Sequence, residues 1–342
     1  MNQKEKVVSA LERQEPDSVP TWEWDFNLKV VKTITGSEDV LDLIEQLDLD
    51  GIVVRPNYTK EYLEDGVYVD EWGCTRQITS ESISVIIENP IKDIKDHTTY
   101  QFPDPYASHR FKQLEQTFHR FGQAKAIILN VRDVFSDIRD LLGYENALIA
   151  LITEQEYFEQ LLNRVIEYNR ALAQIAYTTF NTNIIGTTDD IAGTQGLIFS
   201  PKVFFGFLGP KFREVIKGFK DIGYYCIKHC DGDIMPILEY WIDCGIDCID
   251  PIDPLSGMDL ALVKQKYGDR VCIKGNVDCT ETLVYGTEQD VEKAVKVCLR
   301  QAAHGGGYIL SSSNMIHSGV KPENYIAMIK ALRKYGHYPV ER

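Results

Sequence analysis

The residues able to do chemistry are concentrated in residues 223–278. Lys228-His229-Cys230-Asp231-Gly232-Asp233 directly follows an apolar run ending at Ile227. In extended backbone, residues two apart share a face, so His229 and Asp231 point the same way and Cys230 the other. An imidazole beside a carboxylate suits acid–base catalysis. The same pair equally suits two ligands of a hard or borderline divalent metal. Cys230 reads as a small apolar packing residue. Two further apolar runs also end in polar groups: 245–251, carrying Asp250, and 271–278, carrying Lys274, Asn276 and Asp278.

The same pattern recurs along the chain. Residues 19–24 end in Glu23, Trp24 and Asp25, and 51–55 end in Arg55. Residues 126–131 lead to Arg132 and Asp133, 183–188 to Asp189 and Asp190, and 307–312 to Ser313 and Asn314. Helical patterns separate these eight runs. One over 37–47 has Ser37 as its cap, one near 153–179 opens on a Thr153…Glu156 capping box, and one after Ser200-Pro201 has a capping serine and a proline in the first turn. Continuous apolar strands alternating with helices predict an α/β fold with parallel strands buried on both faces. Eight units in one domain over 1–342 predict a (β/α)8 TIM barrel, whose active site lies at the C-terminal strand ends. A doubly wound sheet fits less well, because no GxGxxG follows the first strand. Residues 58–100 break the rhythm. Turns at Asp65-Gly66 and Trp72-Gly73, with β-formers over 77–88, predict a hairpin-bearing insertion after the second strand. Asp253 and Asp278 read as turn or helix caps.

Composition narrows the function. A net charge of −15 over 342 residues argues against nucleic-acid and anionic-membrane partners. No apolar run approaches the roughly 18 residues that span a bilayer. The first residues lack an apolar core, so a signal peptide is not expected and a cytoplasmic location is. Eight cysteines without a CxxC pair read as free thiols.

Several motifs together resemble the uroporphyrinogen decarboxylase superfamily over roughly residues 15–336. They are His229-Cys230-Asp231-Gly232-Asp233-Ile234, Gly275-Asn276-Val277-Asp278, Gly305-Gly306-Gly307-Tyr308, Pro322-Glu323-Asn324 and Asp189-Asp190-Ile191-Ala192-Gly193. The resemblance implies a single (β/α)8 barrel and one of two chemistries. Decarboxylases of tetrapyrrole acetate arms carry an Arg-Gln-x-Gly-Arg segment after the first strand; here Thr21-Trp22-Glu23-Trp24-Asp25-Phe26 has two acids and no arginine. The cobalamin-dependent coenzyme M methyltransferases hold zinc with His-x-Cys and a later Cys. Here Asp231 takes the first thiolate position, and the second falls near Ser313-Asn314. The likeness therefore implies a corrinoid-dependent methyltransferase that takes a methyl group from a small methyl ether or methylamine and gives it to a separate corrinoid-binding protein. On this reading His229, Asp231, Asp190, Glu23 and Asp25 form the catalytic cluster. His229 and Asp231, with Glu23, hold zinc or another divalent metal. Trp22, Trp24, Arg55, Asn276, Tyr308 and Asn314 contact substrate. A decarboxylase acting on a tetrapyrrole or smaller carboxylate is the second reading, and an arginine cluster built from Arg55 and Arg132 would favour it. A non-enzymatic corrinoid or tetrapyrrole carrier is the third.

Overall fold

The structure, a computed structural model, describes residues 1–340. The strands are β1 (Gly51–Val54), β2 (Lys60–Glu64), β3 (Val67–Asp70), β4 (Thr75–Gln77), β5 (Val85–Glu88), β6 (Ala126–Val131), β7 (Ile184–Thr188), β8 (Ala192–Gly193), β9 (Gly196–Leu197), β10 (Tyr225–His229), β11 (Cys248–Asp250), β12 (Cys272–Lys274) and β13 (Tyr308–Ile309). Seven form one curled parallel sheet in the order β1-β6-β7-β10-β11-β12-β13. β1 and β6 are buried along their whole length, as strands covered on both faces must be.

The predicted first strand over 19–24 lies between the two edges of this sheet but forms no ladder. Leu310 N donates to Pro20 O at 3.0 Å, and Asp50 N donates to Thr21 O at 2.8 Å. The local chemistry explains the missing ladder. Pro20 has no N–H, and the Thr21 N–H is taken by the Asp50 carboxylate at 2.8 Å.

Two apolar clusters follow from this curl. The inner one gathers Trp22, Trp24, Ile128, Ile184 and Ile227, and the helix Gln3–Leu11 closes it with Val7, Ala10 and Leu11. Lys4 N donates to Ala124 O just before β6, so this helix sits at the N-terminal end of the strands. The outer cluster packs the helices on the sheet.

Several local expectations change. Residues 37–47 form a shorter helix, Val40–Gln46, capped by Asp39; Ser37 instead accepts from Asp39 N. The long helix is Gln155–Phe180, and no side chain caps its start, so the Thr153…Glu156 box does not form. A Thr287…Asp290 capping box opens the helix Glu288–Ala302. Between β1 and β6 the expected hairpin is larger, a four-stranded antiparallel sheet in the order β2-β3-β4-β5. Its turns carry Gly66 and Gly73, both with positive φ. No helix among the described residues is long and apolar enough to cross a membrane.

The inner cluster depends on one missing side chain. A Cβ on Gly186, in β7, would overlap the Trp24 ring and come within 3.3 Å of Ile128. Gly186→Ala is therefore expected to destabilise the fold by about 1–3 kcal/mol through overpacking. Chemical unfolding measures this, and an unchanged midpoint would mean that the ring is not seated there.

Candidate active site

Asp250 ends β11 and is fully buried. Three segments each give it a donor: His229 Nδ1 from β10 at 2.5 Å, Lys274 Nζ from β12 at 2.6 Å, and the Trp24 indole N–H. Burial acts to raise the Asp250 pKa, but Lys274 and His229 outweigh it and hold the carboxyl below its ordinary value. Lys274 also reaches Ser311 Oγ at 3.0 Å and lies over the Trp22 ring.

This carboxylate orients the histidine. With Nδ1–H directed at Asp250, the neutral imidazole presents its Nε2 lone pair on the opposite side. There Nε2 lies 3.8 Å from Asp231 Oδ1. Asp190, His229 and Asp231 each offer one ligand atom, and the three atoms lie within 4.8 Å of one another. Oδ1 of Asp190 and Oδ1 of Asp231 are both buried without a hydrogen-bond partner. The other Asp231 oxygen accepts from Asn314 Nδ2 at 2.7 Å. Burial lowers the His229 pKa, but Asp231 and Asp250 outweigh it, so the value is raised above the ordinary one. Burial, together with Asp190 and Asp250, pushes Asp231 up to about 6 against the pull of His229.

Backbone geometry brings the two aspartates together. Gly232 has a φ of +95°, and a Cβ there would lie 2.6 Å from Gly193 N and 2.7 Å from the Ala192 carbonyl carbon. Asp233 N donates to Gly193 O at 3.0 Å. The loop after β10 is thereby pressed against the β8–β9 turn that follows Asp190, which only glycine permits. The neighbouring Asp189 takes another role: its carboxylate accepts from the amides of Val134, Phe135 and Ser136 at 2.6–2.8 Å. Lys228 bonds Asp133 at 2.6 Å and is likewise fully buried.

Glu23 lies next to this centre in the buried layer. It accepts from Ser312 N at 3.0 Å and from Ser312 Oγ at 2.7 Å. Burial raises its pKa to about 7, although Lys274 and Ser312 pull it down. It is not one of the three clustered ligand groups. Asp25 pairs with Arg55 at 3.3 Å. Trp24 packs edge-on to the His229 ring, with centroids 4.9 Å apart.

Three expected substrate contacts are instead held in packing. Trp22 and Tyr308 have no exposed surface, and the Tyr308 hydroxyl donates to Gly275 O. Asn276 Nδ2 donates to Ile252 O at 2.5 Å, and its Oδ1 faces Cys298 at 3.6 Å. These three sit on strand ends as expected, but Trp22 packs in the inner cluster and Asn276 and Tyr308 face the outer layer. His317 Nε2 is bonded to Cys279 O at 2.9 Å. Cys230 is buried in the outer core, as its alternation with His229 predicts. Asp253 and Asp278 do cap, accepting from Leu255 N and Thr280 N.

Sequence reasoning left Asp250 and Lys274 out of the site. Each ends an apolar run and lies two residues after an inward cysteine, Cys248 or Cys272, on the same strand face, and that spacing was the available signal. It also missed a cavity of about 250 Å³ beside the centre, lined by Arg55, Tyr58, Trp72, Asn130, Arg132 and Asp137 among others.

The profile of the uroporphyrinogen decarboxylase (URO-D) family matches residues 67–335. The chain belongs to the uroporphyrinogen decarboxylase family. Curated relatives include a uroporphyrinogen decarboxylase from Psychromonas ingrahamii, 24% identical over 183 residues, which are 52% of this chain and 47% of that protein. A methylcobamide:CoM methyltransferase from Methanosarcina barkeri is 25% identical over 196 residues, 57% of this chain and 54% of that one. The chain thus spans about half the length of these two relatives. Among solved structures, a methyltransferase from Methanosarcina mazei superposes with a TM-score of 0.78 at 18% identity, covering 98% of this chain and 99% of its own. That likeness establishes the shared fold.

Two predictions follow from the buried charges. Asp250→Asn leaves the Lys274 ammonium without its carboxylate, at an expected cost of about 3–5 kcal/mol in unfolding free energy. A loss under about 1 kcal/mol in urea titration would show that Lys274 finds another partner. Glu23 binds its proton more tightly folded than unfolded, so its contribution to stability falls as pH rises from 4.5 to about 7. Glu23→Gln removes that term. The stability of the variant relative to the parent should rise across this window by up to about 3 kcal/mol. A pH-independent difference would contradict it.

Proposed function

We propose that this member of the uroporphyrinogen decarboxylase family is a corrinoid-dependent methyltransferase. It takes a methyl group from a small methyl ether or methylamine and passes it to a separate corrinoid-binding protein. The observation that carries the reading is the cluster of Asp190, His229 and Asp231, with two buried carboxylate oxygens that lack any donor. These oxygens and the imidazole Nε2 form an N/O donor set without thiolate, which fits zinc or another divalent ion with an open position. The match to a methylcobamide:CoM methyltransferase supports the reaction class.

Asp190, His229 and Asp231 would hold the ion, and when bound it supplies Lewis acidity to the substrate heteroatom. The remaining work falls to the chain. Asp250 keeps the Nε2 side of His229 facing the cluster, and Asn314 steadies Asp231. Trp24 closes one side of the imidazole. For an ether, the C–O bond electrons would stay on the oxygen, which would take a proton from solvent, and a corrinoid on the partner would supply the nucleophile that accepts the methyl group. Glu23 and Asp25 act in this reading as positioning groups for the Ser312 and Arg55 walls.

The same proposal treats 1–342 as one (β/α)8 barrel. The segment 19–24 is its remaining stave and 58–100 an insertion; the bonds from Leu310 and Asp50 to that segment support closure. Eight buried free cysteines suit a reducing cytoplasm.

One observation favours the second reading, a decarboxylase of a small carboxylate. Arg55 and Arg132 line the same cavity. At about 250 Å³ it lies below the roughly 300–1,000 Å³ of pockets for drug-sized ligands, and a four-ring tetrapyrrole exceeds it.

One experiment separates the two. Purified protein is incubated with reduced corrinoid protein and candidate methyl ethers and methylamines while the methylcobalamin spectrum and released carbon dioxide are followed. Methylcobalamin formation is expected, with metal content near one ion per chain falling at least about tenfold in His229→Ala and Asp190→Asn. Carbon dioxide release without methylcobalamin would overturn the methyltransferase in favour of the decarboxylase.

A further inference from the structure

The four-stranded sheet has two unlike edges. β2 carries Lys60, Glu61 and Glu64, the kind of charges that keep an exposed strand from pairing with another chain. β5 lies at the opposite edge. The run Ser82-Ile83-Ser84-Val85-Ile86-Ile87 that enters and follows it contains no charge and no proline. Ile83, Val85 and Ile87 are 60%, 55% and 57% exposed. Such an edge is a template for one more strand.

Hydrogen-bond directions show which groups this edge offers. Asp70 N donates to Cys74 O at 3.0 Å and Ile78 N to Gly66 O at 2.7 Å, so Cys74, Arg76 and Ile78 turn their backbone toward β3. Gln77 therefore faces β5, where its register partner is Val85. Alternation then directs the N–H and C=O of Ser84 and Ile86 out of the sheet, and neither residue finds a backbone partner there among the described residues. The side chains divide in the same way. Tyr68, Arg76 and Ser84 line the cavity beside the His229 cluster, and Val85 projects from the opposite face. The ladder to β4 shifts by one residue between Ile86 and Glu88, and the extra residue, Ile87, is exposed.

The edge fits its own copy. Two copies placed antiparallel about Val85 set Ser84 of one against Ile86 of the other, and each such pair exchanges two hydrogen bonds. Val85 then opposes Val85 as a non-hydrogen-bonded pair, with Ile83 opposite Ile87 on the same face. Glu88, the first charge beyond the run, falls opposite Ser82 and not against its own copy. That matters in a chain of net charge −15, whose acidic surfaces repel one another. A partner of another kind gains nothing from charge at an edge that has none. The twofold register satisfies every outward backbone group of Ser84 and Ile86.

We propose that the β5 edge joins two copies of this chain in solution, merging their four-stranded sheets into one antiparallel sheet across a twofold axis. Tyr68, Arg76 and Ser84 belong to the same sheet, so the pairing braces one wall of the cavity in both copies. A strand pair alone is smaller than the roughly 1,200 Å² at the lower bound of standard interfaces, so association is weak and concentration-dependent. It is independent of the proposed reaction and needs neither corrinoid nor substrate.

Sedimentation velocity of the full chain tests it. Between about 1 and 100 µM the weight-average mass is expected to climb from 39.0 kDa toward twice that value. Val85→Lys sets two ammonium groups against each other, and Ser84→Pro removes an outward N–H while sparing the ladder to β4. Each should weaken association at least about tenfold. The register has its own readout. The eight native cysteines are buried, so the introduced thiol of Val85→Cys is the exposed one. In the twofold register it meets its copy at a Cα spacing of about 4.5 Å, within disulfide range. Oxidised glutathione should link Val85→Cys into covalent dimers at least about tenfold faster than Ile83→Cys, whose thiol faces Ile87 of the other copy. One-chain mass over the whole range, a dimer that both Val85→Lys and Ser84→Pro leave intact, or equal linking of the two cysteine variants would overturn the proposal. The wild-type masses decide it even if a variant does not fold.

Discussion

The centre depends on one buried carboxylate. Asp250 gathers an imidazole, an ammonium and an indole N–H from three separate segments of the chain. Each of these donors would carry a desolvation cost on its own. Together they hold a negative charge in the sheet interior, where it sets the orientation of His229. The imidazole then has one side committed and one side free, and the free side faces two aspartates. Without Asp250, nothing would decide which ring nitrogen meets the cluster.

The aspartates themselves are separated by function through backbone geometry. Asp189 and Asp190 are adjacent in sequence, yet the first anchors the amides at the start of the helix Ser136–Leu142 and the second turns toward His229. Asp231 meets Asp190 because Gly232 lets two backbone segments approach more closely than a side chain would allow. Two unpartnered carboxylate oxygens side by side in a buried position are costly, and a cation or a shared proton relieves that cost. Family membership is consistent with this arrangement. Where the likeness to the coenzyme M methyltransferases implies thiolates, this chain has Asp231 and, near the second position, Asn314, which donates to Asp231 at 2.7 Å. Carboxylate and imidazole groups there suit a harder cation than thiolates would.

The cavity beside this centre carries both signs of charge. Arg55, Arg76 and Arg132 line it together with Asp70, Asp137 and Asp140. Arg132 bonds the Thr188 carbonyl, and Asp140, Asp137, Asp189 and Asp190 outweigh its burial and keep it charged.

The sequence alone determined the alternation of buried strands and helices, because strands covered on both faces must be continuous apolar runs and each such run is visible. It also placed His229, Asp231 and Asp190 at strand ends, and it put Cys230 on the packing side through the two-residue period of a strand. The caps at Ser200 and Asp253 were legible for the same local reason. Tertiary structure decided the rest. Trp22, Asn276 and Tyr308 share the strand-end signature, yet Trp22 is packed inside the curled sheet and the other two against the outer helices, because a strand end faces both ways. Asp250 and Lys274 could not be paired with His229 from sequence, since their partnership arises only when β10, β11 and β12 lie side by side. The ladder missing at 19–24, the four-stranded sheet and the cavity under it likewise depend on contacts between residues far apart in the chain. Local patterns record which face a residue occupies; which charges meet across the sheet is fixed only by folding.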